Sequence, residues 1–334
     1  MKYTWRRFRA HPRGVWALRI WLLMSVLLLS ANFWCNDKPI VIVSDQGIFF
    51  PILKYYPETA FTSGDDLEMN YLSPQFSQFV KKHHAWALWP VYQQSPSRLS
   101  ESTEPVPGAP TQAHWMGTDE QGRDVCARVI YGTRSCVIFG VCVAVLSTLI
   151  GLGIGALQGY WGGRFDLYTQ RLSEIWAGLP VLFILMIIAN FLTPSLSMLI
   201  LMMSLFNWRS ISVLVRAEFL RSRELPYVIA AKVLGAKDFR IMWRHILPNT
   251  TVTALSQFPF LVNAGIASLT SLDFLGVGLN LGAPSLGELL QQAKSNLHAP
   301  WLGIYPFIAL ALVLVLVTLI GEAVRDALDP GKSP

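Results

Sequence analysis

SCVIFGVCVAVLSTLIGLGIGALQGYW, Ser135 to Trp161, runs for 27 residues without an Asp, Glu, Lys or Arg. At a helical rise of about 1.5 Å per residue, about 20 apolar residues cross the ~30 Å hydrocarbon core of a bilayer, so this stretch is long enough to span. The rest of the chain matches it: of 334 residues, 52% are hydrophobic and 14% charged, against about 25% charged in an ordinary soluble domain. Five more apolar runs of spanning length follow the same pattern: Val15–Phe33, Leu172–Leu192, Leu196–Val215, Thr251–Thr270 and Leu302–Ile320. The sequence predicts an all-α polytopic membrane protein with six transmembrane helices. The third and fourth runs nearly touch at LTPSLS, Leu192 to Ser197, where Pro194 ends one helix and a tight transmembrane hairpin is expected.

Basic residues near span ends are retained in the cytoplasm, which orients the chain. Lys2, Arg6, Arg7, Arg9 and Arg13 precede the first span, and Arg216, Arg221, Arg223, Lys232, Lys237, Arg240 and Arg244 lie between the fourth and fifth. The segment 34–133 instead carries seven Lys and Arg against eleven acidic residues. Residues 1–14 and 323–334 are therefore expected in the cytoplasm, 34–133 in the periplasm and 134–322 as a five-helix core. The net charge of +6 is a topology signal rather than a nucleic-acid footprint, because its basic clusters flank spans. Asn32, Phe33 and Trp34 before Cys35 lack the small residues of a cleavage or lipid-attachment site, so the first run reads as an uncleaved anchor.

The outer segment is too long for a structureless connection and predicts a small domain. PIVIVSDQGIFFP, Pro39 to Pro51, reads as a β hairpin, and QSPSRLSESTEPVPGAPT, Gln94 to Thr111, as a poorly ordered linker. Cys136 and Cys142 in the second span read as small hydrophobes, while Cys35 and Cys126, both near the outer face, leave a disulfide open. No metal-ligand spacing of Cys or His occurs, and no cofactor is implied.

The basic loop RAEFLRSRELPYVIAAKVLGAKDFRIMWRHILPNT, Arg216 to Thr250, reads as helix, glycine, helix. Val228, Ala231 and Leu234 recur at helical spacing, Gly235 sits where a left-handed cap is wanted, Asp238 opens the second helix and Pro248 stops it. As chemistry alone this is an amphipathic hairpin. Its pattern, however, resembles the cytoplasmic signature loop of binding-protein-dependent ABC importer permeases, in which Glu-Ala-Ala is followed after three residues by Gly and after nine more by Ile-x-Leu-Pro. Ala230, Ala231, Gly235, Leu247 and Pro248 match in register, with Ile229 in place of the Glu and His245 in place of the first Ile. The RHILPN ending is similar to the dipeptide and oligopeptide class.

MGTDEQGRDVCARVIYGTR, Met116 to Arg134, resembles the segment leading into the second span of that class, carried by Gly117, Thr118, Asp119, Gly122, Arg123, Asp124, Arg128 and Gly132. The resemblance implies an Arg and Asp network with a structural role. Ser268 to Lys294 and Ala299 to Pro330 resemble the last two spans, and NDKPIVIVSDQGIFFPILKYYPETAF, Asn36 to Phe61, is similar to the Yej-type permeases with their long outer segment. The resemblance implies import of peptides or peptide-like antibiotics with a second permease subunit, two ATPase subunits and a periplasmic solute-binding protein. The loop at Ala230, Ala231, Leu234, Gly235, Leu247 and Pro248 would then couple to the ATPases.

No Gly-x-x-x-x-Gly-Lys-Ser/Thr phosphate loop is present, so this chain is expected to be no ATPase. Gly151, Gly155 and Gly159 recur every fourth residue and predict one face for close helix packing rather than a nucleotide site, since no strand precedes them. Asn190, Asn263 and Asp273 are polar positions within spans, with Asp273 expected to be solvated at the outer end of the fifth. An ion-coupled secondary transporter is the alternative and would lean on Glu174 and Asp273. A membrane hydrolase lacks a nucleophile elbow or His-Glu metal motif.

Overall fold

The computed structural model describes residues 2–45, 47–61, 69–99, 105–191, 194–280 and 282–328. In chain order its elements are α1 (Lys2–Arg9), α2 (Pro12–Leu29), the single turn α3 (Ala31–Trp34), β1 (Val41–Ser44), β2 (Gly47–Phe49), α4 (Pro74–Lys82) and β3 (Trp86–Leu88). Then come α5 (Val125–Trp161), α6 (Gly163–Ala177), α7 (Val181–Phe191), α8 (Leu196–Ser222), α9 (Pro226–Val233), α10 (Asp238–Phe274), α11 (Leu286–Ser295) and α12 (Trp301–Leu328). Among the described residues, α2, α5, α8, α10 and α12 are long and apolar enough to cross a membrane, and α6 with α7 makes a sixth if the pair is one span. The chain is thus a helical, polytopic membrane protein with a small sheet, as its apolar runs require.

Several boundaries move. The first span, α2, starts at Pro12, ends at Leu29 and is followed by the α3 turn, where Val15–Phe33 was expected unbroken. α5 begins ten residues before the apolar run, because Asp124 accepts a 2.7 Å hydrogen bond from the Ala127 N–H and satisfies the first turn. The third span is not one helix over Leu172–Leu192: it bends by 63° between α6 and α7. Gly178 closes α6 by donating to the Glu174 and Ile175 carbonyls, and Pro180 brings no N–H with which to continue. Residues 192–193 of the expected hairpin lie outside the described residues, and beyond them Ser195 caps α8 by accepting from the Met198 N–H.

The chain forms two compact units. One comprises Met1–Leu23, Ser135–Leu281 and Ile308–Pro334. Its core packs Ala156 of α5, Ile211, Val215 and Phe219 of α8, Val228 of α9, and Ile241, Met242, Ile246 and Ala254 of α10. Phe8 of α1 is buried against Ala323 and Ala327 of α12.

The other unit comprises Met24–Arg134 and Gly282–Phe307. The expected hairpin is present: β1 pairs antiparallel with β2 on one side and with β3 on the other. Ile42 enters a core with Phe61, Met69, Tyr71, Phe76 and Phe79, in which the Phe61 ring meets Phe79 edge-on at 5.2 Å. On the opposite face Val43, Ile48, Trp86 and Leu88 are exposed. Residues 100–104 of the expected linker lie outside the described residues, yet its flanks are not loose. Ser95 is buried, Leu99 bridges to Arg123, the Pro96 carbonyl accepts from Arg128 Nη1 at 3.2 Å, and the Gly108 N–H donates to Thr118 Oγ1 at 2.8 Å. Cys35 and Cys126 share a small buried cluster with Tyr92 and Ala127, and both are free thiols. Burial pushes the Cys35 thiol well above its ordinary pKa.

Candidate functional site

The loop 216–250 is built on the first unit's core. α8 continues to Ser222, past the expected Val215, and Pro226 sits in the first turn of α9, where its missing N–H costs nothing. α9 ends in a paired cap: the Ala236 N–H reaches back to the Ala231 carbonyl and the Gly235 N–H to that of Lys232, each at 3.0 Å, with Gly235 at φ +80°. That left-handed backbone is why glycine stands there, for a Cβ at Gly235 would meet nothing within 4 Å. Val228 is buried and Ala231 packs against the core from the same face of α9, but Leu234 does not continue their stripe. Val233 and Leu234 are 81% and 87% exposed, since the cap turns the chain away from the core one residue later. Ala230 is also exposed.

Asp238 opens α10 without capping it: its carboxylate accepts instead from the Tyr160 hydroxyl of α5 at 2.6 Å. Pro248 does not end the helix. The turn Ile241–Ile246 widens to a π-helix, with the Leu247 N–H bonded to the Met242 carbonyl five residues back, and α10 then runs through Pro248 to Phe274. A widened turn spares a proline the clash with the carbonyl four residues before it. Leu247 is half-buried and Pro248 exposed.

Gly151, Gly155 and Gly159 of α5 face α8. A Cβ on them would lie 2.7, 2.6 and 2.6 Å from the carbonyl oxygens of Trp208, Ser212 and Arg216. Backbone therefore packs on backbone along this stripe. At the α5–α6 corner, Gly162 and Gly163 have φ of +63° and +56°. Just beyond, Asp166 accepts from Arg216 Nε and Nη2 at 2.5 and 2.6 Å.

In the second unit the segment 117–134 is a buried ion network. Asp119, Arg123 and Arg128 are 0%, 2% and 0% exposed. Arg123 donates to Asp119 Oδ2 through Nε at 2.7 Å and to Glu288 Oε1 at 2.7 Å. Arg128 donates to Glu288 Oε2 at 2.6 Å and to the carbonyls of Pro96 and Ala283. Its Nε lies 3.4 Å from Asp119 Oδ2, an ion pair without a well-formed hydrogen bond. Two cations thus meet two anions, the arrangement that makes buried charge tolerable. Burial opposes the charge on Arg123, and its bonds to Asp119 and Glu288 outweigh that, leaving its pKa raised. Asp124 accepts from the Tyr92 hydroxyl at 2.5 Å and from His114 Nδ1 at 2.9 Å. Burial, then the bond to Asp124, pushes the Tyr92 phenol far up. Gly117 and Gly122 both hold φ near +77°, and a Cβ on Gly117 would meet the Gly108 carbonyl at 2.6 Å. The Thr118 carbonyl accepts from the Trp301 indole at 3.2 Å.

Glu288, Tyr160 and the Asp166–Arg216 pair escaped sequence reasoning. Ser285 and Glu288 have the spacing of a capping box, and Ser285 Oγ does accept from the Gly287 and Glu288 N–H groups, but the Glu288 carboxylate turns to the arginines. Of the polar span positions, Asn263 donates to Leu314 O and Thr318 Oγ1 across to α12, and the Asn190 side chain lies outside the description. Asp273 is not solvated: it is 6% exposed and accepts from the Leu279 N–H at 2.7 Å, closing the turn after α10. Glu174 pairs with exposed Arg171 one turn away on α6.

The geometry is that of a multi-pass helical membrane protein whose 216–250 loop is rooted in the core of one unit. Residues 151–334 match the family of binding-protein-dependent transport system inner membrane components, and the chain belongs to that family. Among its relatives, the inner membrane ABC transporter permease protein YejE of Escherichia coli strain K12 is 44% identical over 98% of this chain and 96% of its own length. The peptidoglycan transport system permease protein YejE of Agrobacterium fabrum is 42% identical over 99% and 93%. The dipeptide transport system permease protein DppC of Bacillus subtilis is 34% identical over 66% and 70%.

Proposed function

We propose that this chain is one of two permease subunits in an ATP-driven importer that carries peptides or peptide-like compounds from the periplasm to the cytoplasm. Two ATPase subunits and a periplasmic solute-binding protein complete the assembly. Both termini and the 216–250 loop face the cytoplasm, and 34–133 faces the periplasm. Peptide transport is supported by similarity to a dipeptide permease and to two YejE proteins, one of them named for peptidoglycan transport. ATP is hydrolysed in the partners. Closure of the ATPase pair moves α9 as a rigid lever, and the spans rock between inward-open and outward-open states, with the loaded binding protein biasing the same equilibrium from the other side.

The observation that carries this most directly is the exposed apolar tip, Val233 and Leu234, beside Gly235, on an element whose other face is rooted in the α5–α8–α10 core. A rigid root with an apolar tip suits a docking lever. The test is co-purification in detergent from the native host with this chain tagged. The wild type should retain a second permease and two ATPases, and Gly235→Asp should release the ATPases. Aspartate tolerates the left-handed backbone better than most residues, so the loss would report the buried charge. Undiminished ATPase retention by the variant would refute this docking site.

A further inference from the structure

Four elements meet at the α5–α6 corner, and the geometry points to a clamp there. Tyr160, in the last turn of α5, binds Asp238 at the start of α10 through its hydroxyl at 2.6 Å. Gly162 and Gly163 then turn the chain with left-handed backbone. The Arg223 guanidinium, from the end of α8, occupies the space a side chain on Gly162 would need. One turn into α6, Asp166 takes both Nε and Nη2 of Arg216 from α8, a bidentate pair whose side chains are 12% and 24% exposed.

We propose that Asp166 and Arg216 are positioning residues that pass the displacement of the 226–240 loop to the bent α6–α7 span, with Tyr160 holding the far side of the loop against α5. α6 is covalently joined to α5 only through two glycines, which transmit little torque because their backbone is free to swivel. The Asp166–Arg216 pair supplies the stiff link from α8 to α6, while the Tyr160–Asp238 bond, on the α5 side of the glycines, ties the far side of the loop to the wall against which α6 turns. A guanidinium held in a fixed two-point fork resists rotation as a single contact does not. When the loop moves, α6 moves with it, and the 63° break at Gly178–Pro180 is where that motion becomes a change of angle. The inference rests on the loop being the ATPase-coupling element.

The test uses the whole complex in proteoliposomes, measuring peptide uptake and ATP hydrolysis together. Asp166→Asn and Arg216→Gln should keep the ATPases bound and hydrolysing while peptide moved per ATP falls at least about fivefold, within the range of mutational coupling effects. Tyr160→Phe should give a smaller fall. The exchange of charges, Asp166→Arg with Arg216→Asp, should recover much of the ratio, which a lesion in packing would not. A double-mutant cycle between Tyr160→Phe and Asp166→Asn should be non-additive if both act on one corner. Uptake and hydrolysis falling in step, or an unchanged ratio in all variants, would overturn the clamp. Loss of the ATPases themselves is the signature of a failed docking tip, read separately with Gly235→Asp.

Discussion

At the scale of single residues, the two sites make opposite demands. Gly235 is needed for its backbone angle and not for room, because its φ is +80° and nothing stands within 4 Å of its Cβ position. Gly235→Ala should therefore cost the isolated chain about 1 kcal/mol and leave ATPase retention largely intact, in contrast to the aspartate; thermal unfolding and pull-down on the same preparation check both. Glu288 is the reverse case, a residue needed for its charge. Its two oxygens each accept from one of Arg123 and Arg128, so Glu288→Gln removes one of the two negative charges that the buried guanidiniums share and leaves them facing Asp119. Such a change should destabilise by about 3–5 kcal/mol, seen as a fall in the detergent melting temperature, and adding Arg123→Gln should restore part of it.

At the scale of elements, α5 and α8 pack backbone on backbone along the glycine stripe. Gly155→Val would drive a branched side chain into the Ser212 carbonyl and the Val215 side chain, and overpacking of this kind costs about 1–3 kcal/mol. Gly153→Ala, two residues away on a face where nothing lies within 4 Å, should be silent, and comparing the yields of folded protein from the two variants checks the stripe. Elements were also where the sequence was most and least readable. Apolar length announced the spans, and the Val-Ile-Val run with its turn announced β1 and β2, since periodicity is a local property. The break at Gly178–Pro180 stayed hidden because WAGLPVLF is as apolar as its surroundings, and hydropathy carries no angle. Pro248 misled because the π turn that accommodates it is set by backbone geometry upstream. Leu234 looked like core because its spacing was right, while the cap that rotates it outward lies one residue beyond. Arg123 and Arg128 were legible as a motif with Asp119; the second anion they share, Glu288, was 160 residues away from Arg128 and dressed as a helix cap.

At the scale of the whole molecule, the proposed topology makes a direct prediction. In a chain freed of its four cysteines, a cysteine at Lys54 should react with an impermeant maleimide added to spheroplasts, and one at Lys237 only after lysis. The opposite pattern would invert the orientation. The second compact unit, finally, is assembled from two stretches far apart in the sequence, Met24–Arg134 and Gly282–Phe307. For evolution this is a constraint on recombination. A crossover that exchanged the first stretch between divergent relatives and kept the second would join arginines selected in one lineage to a carboxylate selected in another. Viable chimeras should therefore inherit the two stretches together, and natural breakpoints should be scarce between them.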